Sequence, residues 1–277
     1  MIRNPFDTGT WPRQGKDFLQ EYLVHAPAAL ALLRAIECRV LAPMRFEPPV
    51  LDLGCGDGLF GQIFFEHKPE VGLDHTLWEL RMAARREAYR ALMCADIADL
   101  PFADRSFATV FANGVLEHVH GLTSGLREIA RVLRPGGRLI FTVPTMEDER
   151  QLFGAVLLRR LGLERWAERY AEGYNRVFGQ VNIHTLEEWE ELLAQGGLRL
   201  VYHRTYASPM VFHLHDLTMP LSLPNFLLKR FSGRWVAFPG VRRVIIAPLW
   251  AALLRRIYEE EAPEGCSLLL VAEPILE

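Results

Sequence analysis

Val50-Leu51-Asp52-Leu53-Gly54-Cys55-Gly56-Asp57-Gly58 is the stretch that decides how this chain is read. A short, largely apolar run of strand character leads straight into three alternating glycines. Residues without a Cβ let the backbone turn tightly at the strand end and approach a ligand closely. Open α/β sheets bind their ligands outside the carboxyl ends of the strands, so 54–58 marks the expected site.

Upstream, apolar residues at helical spacing (Phe18, Leu19, Tyr22, Leu23, then Leu30, Leu33, Ile36, Val40) predict helix over 16–41. Pro27 splits it in two, and Pro48-Pro49 stops it. Downstream, strands expected at 70–73, 91–94, 107–111 and 138–143 alternate with helices at 77–88 and 122–133. That alternation implies βαβ units and a parallel sheet covered on both faces. Residues 145–183 read as helical. Thr185 and Glu188 form a capping box opening a helix over 186–195, which Gly196-Gly197 ends. Strands at 198–206 and 266–272 complete the pattern.

The 277 residues are 50% hydrophobic and 23% charged, enough for a sizeable core and unlike a disordered chain or a disulfide mini-protein. Lys plus Arg number 31 against 34 for Asp plus Glu, so no overall basic footprint for nucleic acid exists. Cys38, Cys55, Cys94 and Cys266 include no C-x-x-C pair, which argues against a zinc site and points to a reducing cytoplasm. The longest apolar run, 244–254, would span roughly 16 Å as helix, about half a bilayer core.

Two cofactor classes compete for the glycine turn. Gly56-x-Gly58-x-x-Gly61 fits a dinucleotide fingerprint, with Asp74 eighteen residues beyond Gly56. Its register is poor, because Gly54 and Cys55 already occupy the turn. The whole of 50–58, by contrast, resembles motif I of class I S-adenosyl-L-methionine (SAM)-dependent methyltransferases. Further segments follow in order: Gly72-Leu-Asp74, Cys94-Ala-Asp96-Ile97 through Pro101-Phe102, Val110-Phe-Ala-Asn113, Val115-Leu-Glu-His-Val119, and Arg131-Val-Leu-Arg-Pro-Gly-Gly-Arg138. Together they are similar to the type 11 branch, which includes quinone-ring methyltransferases. Ala108 stands where that family usually has Asp.

The resemblance implies a Rossmann-like, seven-stranded, mostly parallel sheet whose last strand runs antiparallel between the fifth and sixth. It implies a SAM site formed by Asp52, Gly54, Cys55, Gly56, Gly58, Asp74, His75, Asp96, Ile97 and Asn113. In that pattern Asp74 holds the ribose hydroxyls, and Asp96 and Ile97 meet the adenine. SAM carries a sulfonium and no pyrophosphate, so carboxylates suit it better than a P-loop lysine. If the acceptor is a hydroxyl, His118 and His184 are the candidate general bases. His213-x-His215-Asp216 on a strand would place both histidines on one face, but no third ligand stands nearby and no metal is expected. Trp11, Phe18 and Tyr22 are candidates to close over the cofactor.

The expected layout is an N-terminal helical cap (1–45), a SAM-binding core (46–144), a helical lid (145–183) and a C-terminal part (184–277) with a helical insertion at 207–265. Within 207–256 seven basic residues face one acid, Asp216, interleaved with aromatic and aliphatic side chains. Such a segment suits either a cover over the cleft or a peripheral contact with an anionic membrane. Both favour a small, apolar or lipid-like acceptor over RNA. A non-catalytic SAM-binding or membrane-associated regulator, an RNA methyltransferase and a nicotinamide-dependent dehydrogenase are the rival readings.

Overall fold

The computed structural model describes residues 15–145 and 150–275. Seven strands, β1 (Val50–Leu53), β2 (Val71–Asp74), β3 (Ala91–Cys94), β4 (Phe107–Asn113), β5 (Leu133–Pro144), β6 (Leu198–Tyr206) and β7 (Ser267–Pro274), form one sheet ordered β3-β2-β1-β4-β5-β7-β6. The first five pair in parallel, and β7 lies antiparallel between β5 and β6. The Rossmann-like, mostly parallel α/β expectation therefore holds, including the place of the last strand. Strand order reverses outward from β1 and β4, which opens a crevice at their carboxyl ends.

Every residue of β1 is buried because helices cover both faces of the sheet. One face carries α1 (Phe18–His25), α2 (Ala28–Leu41), α3 (Leu59–Phe64), α9 (Pro209–Thr218) and α11 (Ala247–Glu259), sharing a single apolar core with β1 and β7. Pro27 separates α1 from α2, as expected. Within this core Phe46 meets Phe64, Phe65 and Phe111 edge-on at centroid distances of 5.4–5.5 Å. Across the sheet, α5 (Leu122–Val132) and α8 (Leu186–Gln195) bury Leu126, Ile129, Trp189 and Leu193 against β4, β5 and β7. The capping box of α8 is present: Glu188 N donates to Thr185 Oγ1 (3.3 Å) and Thr185 N to Glu188 Oε2 (2.8 Å). The next strand-to-helix unit is α4 (Leu77–Arg86), which follows β2.

The helical reading of 145–183 is met by α6 (Phe153–Arg160) and α7 (Glu164–Phe178), divided by a turn at Gly162 and ended by Gly179. Both glycines have positive φ, 72° and 66°, where the backbone leaves the helix. β5 starts at Leu133 rather than near 138, because the Pro135-Gly136-Gly137 segment is an irregularity inside the strand instead of a turn before it. His213 and His215 lie on helix α9, where residues two apart point to different sides, so the shared face expected of a strand is absent. No cluster of three or more metal-ligating side chains occurs among the described residues. Trp11 lies outside the described residues. Within the insertion, α10 (Leu223–Ser232) precedes a π-helical turn, Arg242–Ile246, that runs into α11.

Candidate active site

The turn after β1 is organised by Asp74 at the end of β2. Gly56 N donates to Asp74 Oδ2 (3.0 Å) and Thr76 N to Asp74 Oδ1 (2.8 Å). Two backbone donors fix the carboxylate while leaving each oxygen a further lone pair. Gly56 has φ 53°, and a Cβ there would meet nothing within 4 Å, so the loop is open on that side. Gly58, with φ 75°, is the N-cap of α3.

The third glycine of the dinucleotide pattern serves another purpose. A Cβ on Gly61 would collide with the Tyr89 hydroxyl, and one on Gly72 would fall 2.8 Å from the Tyr89 ring. Tyr89 in turn donates to buried Asp52 Oδ2 at 2.7 Å. Gly61 is thus required by the packing of a tyrosine. Burial raises the Asp52 pKa to about 7, with neighbouring Asp74 adding to the rise and the Tyr89 hydrogen bond opposing it.

Two joined depressions form the cleft at the carboxyl ends of β1, β2 and β4. The first, of about 430 Å³, brings Asp52, Gly54, Cys55, Gly56, Asp74 and His75 together with Asn113 and His118. The second, of about 570 Å³, shares Gly54, Asp74, His75 and His118 and adds Asp96 and Ile97. Asp96 is held in a local turn by Ala98 N (2.8 Å). Asn113 lines the cleft, but its amide donates to Glu37 Oε2 (2.7 Å) and its carbonyl accepts from Thr142 Oγ1 (2.8 Å). Gly58 sits behind the lining, against Ala83 and Tyr89. Ala108 lines a separate depression with Arg134 and Gly136, which explains why its identity leaves the cleft untouched.

The two histidines part company. His118 lines both depressions, and its Nδ1 lies 3.0 Å from the carbonyl of Gly179 at the end of α7. A carbonyl only accepts, so Nδ1 carries the hydrogen and Nε2 keeps its lone pair. Burial holds the His118 pKa below its ordinary value, so the ring is neutral at pH 7. His184 sits instead at the head of α8, 3.4 Å from Glu188 and edge-on to Trp189 at 5.4 Å, and is not among the described residues lining the cleft.

Several side chains in the site lay beyond the sequence reading. Arg34 pairs with Glu37 at 2.8 Å, a spacing of three along α2 that was visible but carried no sign of what it faced. Glu117 is buried with its Oε2 unpartnered, and burial raises its pKa to about 8. Lys229 reaches from α10 to Glu79 (2.9 Å) and packs over Trp235 (4.5 Å); both line the cleft. A smaller chamber behind His118 adds Tyr174, Tyr206 and His215. There Tyr174 OH lies 3.2 Å from His215 Nδ1, while Asp216 accepts from Tyr170 OH (2.6 Å) and Gly154 N (2.9 Å). The His-x-His-Asp run therefore ties α6 and α7 to α9.

Residues 51–141 match the family model described as a methyltransferase domain, type 11. This core is a class I SAM-dependent methyltransferase domain. Among curated relatives, a malonyl-acyl-carrier-protein O-methyltransferase of Legionella pneumophila is 33% identical over 117 residues, 40% of either chain. A demethylmenaquinone methyltransferase of Corynebacterium urealyticum is 34% identical over 116 residues, 40% of this chain and 50% of that one. The chain thus spans half or less of the length of these relatives. Among solved structures, a SAM-dependent methyltransferase of Thermotoga maritima superposes with TM-score 0.51 at 18% identity, covering 91% of both chains. A 4+2 cyclase superposes with TM-score 0.54 at 16% identity, covering 99% of this chain and 89% of that one. At such identities the structural likeness concerns the fold, and a fold can host several chemistries. Residues 51–141 supply most of the lining of the two larger depressions, while residues beyond 141 supply most of the smaller chamber.

Proposed function

We propose that the chain transfers a methyl group from SAM to oxygen or carbon of a small, apolar or lipid-like acceptor by in-line displacement. The observation that carries this reading is Asp74, held by two backbone N–H groups at the mouth of β1 and β2 with lone pairs left for ribose hydroxyls. A carboxylate accepting hydroxyl hydrogens forms charge-assisted bonds, stronger than neutral ones. Gly54, Cys55 and Gly56 offer backbone to the amino acid end, His75 flanks the ribose, and Asp96 and Ile97 serve the adenine.

The cofactor supplies a sulfonium methyl whose departure leaves a neutral thioether. The protein's task is then to hold the acceptor in line, which alone supplies much of an acceleration. For a hydroxyl or enol acceptor, Nε2 of His118 takes the proton while Gly179 fixes the ring. The names of the relatives, one acting on malonyl-acyl-carrier protein and one on demethylmenaquinone, are consistent with an acyl- or quinone-like acceptor. Peripheral membrane contact through 207–256 belongs to the same reading. No helix among the described residues is long and apolar enough to cross a membrane.

Titrating S-adenosylhomocysteine into wild type and Asp74→Ala tests the proposal. Wild type should bind, and the variant should bind about ten- to hundredfold more weakly, the worth of a charge-assisted hydrogen bond. Failure of correctly folded wild type to bind overturns the reading.

A further inference from the structure

We infer that the insertion docks on an anionic lipid bilayer through the exposed apolar sides of α10 and α11. This deepens the lipid-like-acceptor reading and rests on it only for the delivery of acceptor, not for the docking itself.

A surface helix normally turns its apolar stripe to the core. α10 does not: none of its ten residues is buried. Leu223, Phe226, Leu227 and Phe231, at helical spacing, are all exposed, Phe231 to 86%. α11 is apolar on two opposite sides. Ala247, Ala251, Leu254 and Tyr258 are buried in the domain core. Leu249 and Leu253, four apart, face away with exposures of 70% and 68%, and Ile245 in the π-helical turn before α11 is 63% exposed. Exposed apolar groups of this size, repeated over two helices of one insertion, mark an interaction surface rather than scattered surface residues.

The charge around them selects the occupant. Arg230, Arg234 and Arg256 are exposed within 207–256, where the single acid, Asp216, is buried; Arg243 pairs with Glu21 of α1 at 3.5 Å. A two-fold contact between copies would set each patch against itself and bring like charges together. Apolar side chains rimmed by arginine suit anionic headgroups and the acyl boundary beneath them. The inner side of α10 connects this surface to the cleft: Lys229 binds Glu79 there, and Phe226 packs edge-on against cleft-lining Trp235 at 5.1 Å. A docked insertion therefore sets the mouth of the cleft at the lipid surface.

Flotation of the full chain with vesicles tests this, comparing phosphatidylcholine alone with a mixture containing about 30% phosphatidylglycerol. Binding is expected to the anionic vesicles, weakened by salt. Phe231→Glu with Leu249→Glu should lower the bound fraction about tenfold or more, with circular dichroism and S-adenosylhomocysteine affinity unchanged, since neither residue lines the cleft. Arg230→Glu with Arg256→Glu should reduce binding to anionic vesicles by a smaller factor. Absence of vesicle binding, or binding indifferent to both pairs of substitutions, overturns the inference. So does a wild-type dimer that Phe231→Glu dissociates while vesicle binding persists. Because cofactor affinity is measured without lipid, failure of docking leaves the methyltransferase reading standing.

Discussion

The two walls of the cleft are built on different principles. The wall proposed for the cofactor comes from short consecutive segments, 52–57, 74–76 and 95–97, and its geometry rests on backbone N–H groups held by carboxylates. The wall proposed for the acceptor draws Arg34 from α2, Tyr174 and Phe178 from α7, Tyr206 from β6 and His215 from α9. Its geometry rests on side chain meeting side chain across the fold. A ligand shared by many proteins can be recognised by a local turn, whereas a specific acceptor needs a surface that only distant elements assemble. His118 stands at the junction, lining the depressions of both walls.

The largest effect that sharpens this contrast should come from that junction. His118→Ala is expected to lower kcat by about 10²–10⁴-fold for a hydroxyl acceptor, with S-adenosylhomocysteine affinity nearly preserved. Because burial lowers the His118 pKa, the acid limb of kcat/KM in wild type should lie below the ordinary imidazole value of about 6.5. A kcat little changed by the substitution would point to an acceptor that arrives ionised, such as a carboxylate, and would take His118 out of catalysis.

Glu117 tests the interior behind the acceptor wall. Its pKa rises from 4.5 in the unfolded chain to about 8 in the fold, so the native state holds the extra proton between those values. Its contribution to stability is therefore greatest below about pH 4.5 and declines as pH rises through about 8. Asp52, raised from 3.8 to about 7, acts in the same direction over a lower window. Glu117→Gln should flatten the fall in stability across the upper window, an effect on the order of 1–3 kcal/mol. Denaturant melts from pH 5 to about 9 measure it; an identical decline in the variant would refute the assignment.

The smallest effect concerns the tie between lid and insertion. Tyr170→Phe removes the hydrogen bond to buried Asp216 and should cost about 1 kcal/mol in thermal or denaturant unfolding. Since Tyr170 lies one helical turn before chamber-lining Tyr174, KM for acceptor should rise while cofactor affinity stays put. A change in cofactor affinity instead would show that the two walls are mechanically coupled.

Legibility in the sequence follows the same division. The places of Asp74, Asp96, Ile97 and the 54–56 turn in the cleft could be read because each lies within a few residues of its own strand end. Gly61 is the opposite case: its close neighbour, Tyr89, is twenty-eight residues away, so the glycine run alone does not show what packs there. His184 and His118 looked alike in sequence, and only the packing of Trp189 and the end of α7 separated them.

What the sequence by itself determined is the alternation of strands and helices, the sheet order carried by the family resemblance, the glycine turn at the cleft and the unusual charge of 207–256. Those features depend on local propensity, hydrophobic period and motif spacing. Tertiary structure alone decided that Glu117 lies buried with its Oε2 unpartnered, that Lys229 from α10 meets Glu79, that His213 and His215 ride a helix, and which apolar residues of the insertion face outward. Burial and pairing depend on what other segments bring to the same place, and no window of sequence contains that information.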